Sequence, residues 1–359
     1  MLAVVRNNDG YKKAREVLQE HGLEYRVMTE SGYSVIGVVG PSNGTYDSAF
    51  AALQAIEEVA LVEKVSKGNR ASINTTGGIH TSVNLGNMQV IGPGSPGLIV
   101  GQCSLDEIGH VTQTLEAIAD INEEHPGTIK AVRMMIWKPR TMGGDWTGIG
   151  IGPLAEEMYI KAKEITGLPL LAEIDESSQI QPYLDLGVDI FHVGARNGLN
   201  QTLLHNLAQT DNPVVVKNPH GRLSLKDYLG ALSWATFRGE KDALGKQDVL
   251  PCYRGVQASP LSGERNELKY DIVQFLTEHV HLPVLVDVSH QGMREKVTYH
   301  GKRAFENGAA GLLVECHPCP DKAKTDGKQA LYVHGDAKDP ASLRGFVDEM
   351  LPYIHGKKE

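Results

Sequence analysis

From Leu98 onward the chain carries eight short apolar runs rich in β-branched residues: Leu98-Val100, Ala131-Trp137, Leu170-Ala172, Ile190-Val193, Val214-Val216, Val249-Tyr253, Val284-Val286 and Gly311-Val314. A strand with one wet face alternates polar and apolar residues. These runs do not alternate, so each needs cover on both faces, as in a parallel sheet wrapped by helices. The gaps supply the helices, with helical periodicity over Val111-Glu123, Ala155-Ile165 and Ile272-His279. Eight strands alternating with helices over about 260 residues predict an α/β fold of the (β/α)8 type, a TIM barrel, for which roughly 250 residues is usual. The competing open doubly wound sheet needs a glycine-rich dinucleotide loop after its first strand, and Gly101-Gln102-Cys103-Ser104 lacks that spacing.

The segment ahead of the barrel reads differently. Strand Leu2-Val5, helix Tyr11-His21, strands Glu24-Met28 and Ser34-Val39, helix Ala49-Glu57 and strand Val59-Val65 give a βαββαβ order. Residues 1–66 are therefore expected to form a small ferredoxin-like α+β domain, with Gly22 as the left-handed stop of the first helix. Residues 67–97 follow as a linker and a hairpin, turning at Asn84-Leu85-Gly86-Asn87 between Thr81-Val83 and Met88-Ile91. Residues 98–359 make the barrel.

Charge and cysteine usage narrow the partners. Thirty-five Lys and Arg stand against 44 Asp and Glu, a net charge of -9 that disfavours a nucleic-acid partner. No apolar run approaches the roughly 20 residues of a membrane span, and Arg6 interrupts the N-terminal apolar stretch too early for a signal peptide. Four cysteines are too few for a disulfide framework, so a cytoplasmic location is expected. Cys316 and Cys319 form a C-x-x-C spacing without further zinc ligands nearby, and Cys252 reads as core.

In a barrel of this kind the active site lies at the C-terminal ends of the strands. There the sequence sets Cys103, Arg133 with Lys138-Pro139-Arg140-Thr141, Glu173, Arg196, Lys217, Arg254, Asp287 with His290, and Glu315 with His317. Two groups emerge. Cys103, His290, Glu315 and Asp326 combine a thiol, an imidazole and two carboxylates, donors suited to a borderline divalent ion such as Mn, Fe, Co or Zn. Arg133, Lys138, Arg140, Arg196, Lys217 and Arg254 gather positive charge in an acidic protein. Such a gathering implies a ligand with several negative charges, and the guanidinium fork matches phosphate and carboxylate.

Six segments then carry a resemblance: Gly101-Gln102-Cys103-Ser104, Lys138-Pro139-Arg140-Thr141, Gly194-Ala195-Arg196-Asn197, Asp287-Val288-Ser289-His290, Val314-Glu315-Cys316-His317-Pro318 and Lys324-Thr325-Asp326-Gly327-Lys328-Gln329. In this order they resemble the 3-deoxy-D-arabino-heptulosonate 7-phosphate (DAHP) synthases, in particular the subgroup with an N-terminal ferredoxin-like regulatory domain. The resemblance implies condensation of phosphoenolpyruvate with D-erythrose 4-phosphate and release of phosphate, the entry to the shikimate pathway. It implies Cys103, His290, Glu315 and Asp326 as metal ligands, with Lys138 protonating or hydrogen-bonding the nascent alkoxide. Glu173 would position or activate the attacking water. Arg133, Arg196, Lys217 and Arg254 would hold phosphoenolpyruvate, and Arg140 and Thr141 the aldose phosphate. A homotetramer and feedback by an aromatic product are also family properties. The chain departs from the pattern at Gln102, at Val288, at Asn218-Pro219-His220 and in the Met142-Gly143-Gly144-Asp145-Trp146 loop beside the acceptor's phosphate end. A related synthase with another aldose acceptor and a non-catalytic metabolite sensor are the alternative readings.

Overall fold

The computed structural model describes residues 1–30, 33–39, 44–63, 80–140, 142–221, 224–239 and 245–356. Near the N-terminus, β1 (Leu2–Val5), α1 (Asn8–Glu20), β2 (Glu24–Glu30), β3 (Tyr33–Val39), α2 (Gly44–Gln54) and β4 (Val59–Glu63) follow the expected βαββαβ order. The strands pair antiparallel in the order β2-β3-β1-β4, the ferredoxin-like arrangement. The Asn7 side chain caps α1 by accepting from the Gly10 backbone N–H, and left-handed Gly22 lets the chain leave it. Ala14 and Leu18 of α1 and Ala49 and Leu53 of α2 bury against Ala3, Val5, Ile36 and Val38 of the sheet. The predicted last strand residues Lys64 and Val65 and most of the expected linker lie outside the described residues.

A hairpin comes next, β5 (Val83–Gly86) and β6 (Gln89–Ile91). Its turn falls on Asn87 and Met88, both at positive φ (47° and 62°), rather than on the expected Asn84–Asn87. A two-residue turn with two left-handed residues matches the twist of a hairpin. It also leaves Leu85 in the strand, where Val83, Leu85 and Ile91 pack together onto the floor of the barrel. The polar Asn-x-Gly-Asn cluster has the composition of a turn, and the packing of Leu85 overrides it.

The barrel strands are β7 (Gly97–Gln102), β8 (Ile129–Met134), β9 (Leu170–Glu173), β10 (Ile190–Val193), β11 (Val214–Lys217) and β12 (Val249–Tyr253). After a short mouth hairpin, β13 (Val256–Gln257) and β14 (Asn266–Glu267), come β15 (Leu285–Asp287) and β16 (Gly311–His317), and β17 (Leu331–Tyr332) lies beside the tip of β16. All eight barrel strands are parallel, and β16 pairs with both β15 and β7 to close the ring. Helices α3 (Ile108–Glu124), α4 (Pro153–Thr166), α5 (Ile180–Leu186), α6 (Gln201–Ala208), α7 (Leu225–Thr236), α8 (Tyr270–His279), α9 (Val297–Glu306) and α10 (Leu343–Ile354) form the outer layer. Ser224, Asn200 and Ser342 cap three of them by accepting a backbone N–H, and Pro153 opens α4 while left-handed Gly167 ends it.

Period-two alternation sorts each strand between two cores. Leu98, Val100, Val132, Val214, Val216, Val286 and Leu312 face the helices. Ile99, Ala131, Leu171, Ile190, Val215, Leu250, Leu285 and Leu313 point inward and form a dry plug with the hairpin. Each buried Val, Leu or Ile among them stabilises the fold by about 1.5–3 kcal/mol. Two residues further along six of the eight strands the inward position becomes polar, Arg133, Glu173, His192, Lys217, Asp287 and Glu315, while β7 and β12 place Gly101 and Cys252 there; the site begins at this level.

Candidate active site

The first polar layer above the plug is charged and buried. Arg133 on β8 and Glu315 on β16 have wholly inaccessible side chains and meet at 3.0 Å, Nη1 to Oε1. Gln329 Nε2 donates to the other Glu315 oxygen at 2.6 Å, and the Ser289 hydroxyl accepts the Glu315 backbone N–H. Lys217 Nζ on β11 lies 2.6 Å from Asp287 Oδ2 on β15, and His290 Nδ1 lies 2.8 Å from the same oxygen. Burial by itself would raise the Glu315 carboxyl, but His290 and Arg133 outweigh it and hold it at about 2. The Asp287 carboxyl is likewise held well below its ordinary value against burial, by His290 and Lys217. Burial carries His290 down to about 4, so its ring is neutral. These pairs balance charge that would otherwise be prohibitive inside a barrel.

Beside this layer stands the mixed-donor group. One ligand atom each from Cys103, Glu315 and Asp326 lie within 4.8 Å of one another. Cys103 Sγ is 3.0 Å from Asp326 Oδ2, and His290 Nε2 is 3.7 Å from Glu315 Oε1. With Nδ1 turned to Asp287, the neutral His290 presents its Nε2 side to the group. Lys138 Nζ reaches Cys103 Sγ at 2.8 Å and Asp326 Oδ2 at 3.6 Å. Asp326 takes a left-handed backbone, φ 53°, which turns its carboxylate back to Cys103. Burial and the Glu315 carboxylate push the Cys103 thiol well up. Two carboxylates and a sulfur this close repel when ionised, and a divalent cation is what would hold them together. The donor set therefore fits one.

The mouth opens above. A cleft is lined by Lys138, Arg140, Glu173, Arg196, Lys217 and Arg254, with Asp326 and His290 at its side. Burial would lower Lys138, but Cys103, Glu173 and Asp326 outweigh it and keep the ammonium charged. Asn218 accepts the Arg254 backbone N–H through Oδ1 at 2.7 Å and donates to Gly255 O at 3.0 Å. The buried Arg254 Nε has no partner among the described residues. Glu173 holds this orientation because residue 194 is glycine: a β-carbon there would sit 1.9 Å from Glu173 Oε1 and turn the carboxylate aside.

The expected residues converge with three adjustments. Arg133 does not line the cleft; it lies beneath it, engaged with Glu315. Arg140 pairs with Asp145 of the atypical loop at 3.4 Å through both Nε and Nη2, and Trp146 Nε1 donates to Ser104 Oγ. Thr141 lies outside the described residues. Sequence reasoning missed Arg265, which lines the cleft and pairs with Asp326 at 2.7 Å. Arg265 precedes β14 instead of ending a barrel strand, so no periodicity marks it. Asp287 as counter-ion of Lys217 and His192 in the lumen were also missed. Cys316 faces the outer core, which removes the C-x-x-C spacing from the site. His317 Nδ1 accepts the Cys319 N–H at 3.0 Å, so its Nε2 carries the proton and donates to Asp106 at 3.0 Å. Asp106, His110 and His317 form a second group of possible donors, here hydrogen-bonded to one another through Asp106.

Fold and site together define a (β/α)8 barrel whose mouth joins a mixed-donor group of Cys103, Glu315 and Asp326 to a cleft lined by cationic side chains. The chain matches the DAHP synthetase I family over residues 78–345. It is 27% identical over 325 residues to a phospho-2-dehydro-3-deoxyheptonate aldolase of Thermotoga maritima, covering 89% of both chains. It is 26% identical over 214 residues to a 2-dehydro-3-deoxyphosphooctonate aldolase of Haemophilus influenzae, covering 55% of this chain and 69% of the relative. The crystal structure of the Thermotoga maritima DAHP synthase superposes with a TM-score of 0.68 at 24% identity, covering 99% of this chain and 98% of that one. A truncated form of the 3-deoxy-D-arabino-heptulosonate 7-phosphate synthase from the same organism gives 0.63 at 25% identity, over 79% and 97%. The chain belongs to the DAHP synthetase I family.

Proposed function

We propose that the protein is a DAHP synthase, condensing phosphoenolpyruvate with D-erythrose 4-phosphate and releasing phosphate as the first step of aromatic amino acid biosynthesis. The observation that carries this reading is the juxtaposition of Lys138 with both halves of the site: 2.8 Å from Cys103 in the cation group and on the wall of the anion cleft. Arg196, Lys217 and Arg254 bind the phosphate and carboxylate of phosphoenolpyruvate, with Arg133 beneath them. Arg140 and Thr141 bind the aldose phosphate. Glu173 takes a proton from the water that adds to the second carbon of phosphoenolpyruvate, while its third carbon bonds to the aldehyde carbon. Lys138, held charged, hydrogen-bonds or protonates the aldehyde oxygen as it becomes an alkoxide. Cys103, His290, Glu315 and Asp326 would hold a divalent cation, Mn, Fe, Co or Zn, which when bound would supply Lewis acidity toward that oxygen. Fixing both anions in register lowers the barrier by several kcal/mol through orientation.

Residues 1–66 are proposed as a regulatory domain sensing an aromatic pathway product, joined through residues 67–97 to a catalytic barrel of residues 98–359. A homo-oligomer, a tetramer by family likeness, and a cytoplasmic location belong to the same reading. No helix among the described residues is long and apolar enough to cross a membrane. The Arg140–Asp145 pair favours one alternative, a synthase of the same chemistry with another aldose acceptor, because a carboxylate already engages the residue assigned to the acceptor phosphate. The test is phosphate release from phosphoenolpyruvate with a panel of aldoses and added metal. Release with erythrose 4-phosphate, its loss on chelation and lowered metal content in Cys103→Ala are expected. No release with any phosphorylated aldose would overturn the enzyme reading.

A further inference from the structure

His192 is the buried polar group that the proposed chemistry leaves without a task. It sits on β10 directly beside Glu173 on β9 in the strand register, and its side chain is wholly inaccessible. Among the described residues neither ring nitrogen has a hydrogen-bond partner. Its Nδ1 lies 4.0 Å from Glu173 Oε2. A buried imidazole with both nitrogens unsatisfied is costly unless those nitrogens serve a group that comes and goes. A separation of 4.0 Å is too long for a direct hydrogen bond and within the span of one bridging water.

We infer that His192 is a positioning residue for Glu173, its Nδ1–H directed to the Glu173 carboxylate through a shared water or by a small closure of the gap. This rests on the reading of Glu173 as the group that receives the water proton. The charged groups facing the ring are Lys217 on β11, Arg133 on β8, Asp287 on β15 and Lys138 beyond β8, with Glu173 itself alongside. Glu173 in turn faces Lys138 and Asp175. Burial, Lys217 and Arg133 keep the His192 ring neutral. A neutral ring offers one N–H to the carboxylate. It transfers no proton: the water proton passes to Glu173, and His192 only orients and hydrogen-bonds that carboxylate.

Steady-state kinetics of the metal-loaded full chain test this with His192→Phe, which keeps the ring volume without nitrogen, and His192→Gln, which restores an amide N–H. His192→Phe should lower kcat by about tenfold to a hundredfold, with the KM for phosphoenolpyruvate within about threefold, and should move the acid limb of the kcat profile to higher pH. His192→Gln should recover most of the rate and the original limb. Wild-type kcat and pH profile in His192→Phe overturn the inference, and so does equal impairment of two folded variants. Where His192→Phe fails to fold, ring 15N NMR of the histidine-labelled wild-type enzyme decides, with the His192 resonance identified by its loss in His192→Gln. A neutral ring protonated on Nδ1 is expected, and a bare Nδ1 overturns the proposal. Glu173→Gln separates the two levels: if it keeps phosphate release, the reading of Glu173 falls and this inference with it. If it abolishes release while His192→Phe is silent, only the role of His192 falls.

Discussion

Two layers of the barrel interior, one pleat apart on the same strands, have opposite chemistry. Below, Leu171, Val215, Leu285 and Leu313 close with the hairpin into an apolar plug. Above, two residues later on the same strands, Glu173, Lys217, Asp287 and Glu315 form a web of charge that, with Arg133, is nearly water-free. The lower layer lowers free energy by removing apolar area from water and is indifferent to which ligand arrives. The upper layer gains little net stability from its pairs, because desolvation offsets most of the Coulomb attraction. Its value is a set of charges fixed in place before substrate binds. Stability and chemistry are therefore stacked along the strands and separated by about 7 Å of backbone rise.

Substitutions on one strand sharpen the contrast most. Glu173→Gln is expected to lower kcat by about 10²–10⁴ with little change in the urea midpoint, measured by phosphate release and by denaturation. Two residues earlier, Leu171→Ala should do the reverse. It opens a cavity in the plug and costs about 2–5 kcal/mol, read as a lower midpoint at unchanged slope, with the KM for phosphoenolpyruvate unchanged. A Leu171→Ala variant of normal stability but poor turnover would break the division between layers. Gly194→Ala is predicted to cost catalysis more than folding. The added β-carbon, 1.9 Å from Glu173 Oε1, is relieved by swinging the carboxylate away, so kcat should fall about tenfold while unfolding barely moves.

The smallest effect concerns pH. Asp175, half-buried beside Glu173, has its carboxyl raised to about 7 by burial and by that neighbour, while Asn197 donates to it. Its folded value exceeds the unfolded one near 4, so the folded state holds the extra proton. Its contribution to stability is complete below about pH 4, fades as pH rises toward 7 and is absent above that. After discounting for partial exposure the span is about 1–2 kcal/mol. Asp175→Asn should flatten the midpoint between pH 5 and 8, and an unchanged slope would remove Asp175 from the charged layer's account.

Eight strands, their order and most of the mouth were legible in the sequence. Non-alternating apolar runs have one solution when eight of them alternate with helices, and the residue following each run must face the mouth. Lys138, Glu173, Lys217, Arg254 and Glu315 follow their runs directly, and Cys103 and His290 lie three and four residues beyond theirs. The rule fails for side chains whose position depends on a distant element. Arg265 enters the cleft from a hairpin, Leu85 stays in its strand because the barrel floor demands it, and Arg140 meets Asp145 across a loop turn.

By itself the sequence determined which residues of one strand share a face, because the period of two is a covalent property of an extended chain. Only the tertiary structure decided how those charges are partnered. Arg133 is taken by Glu315, Lys217 by Asp287 and Asp326 by Arg265, and His192 is left beside Glu173 at 4.0 Å. Pairing of that kind depends on ring closure, which brings β16 against β7 and sets residues more than 180 positions apart within 3.0 Å of each other. No local pattern encodes such a distance.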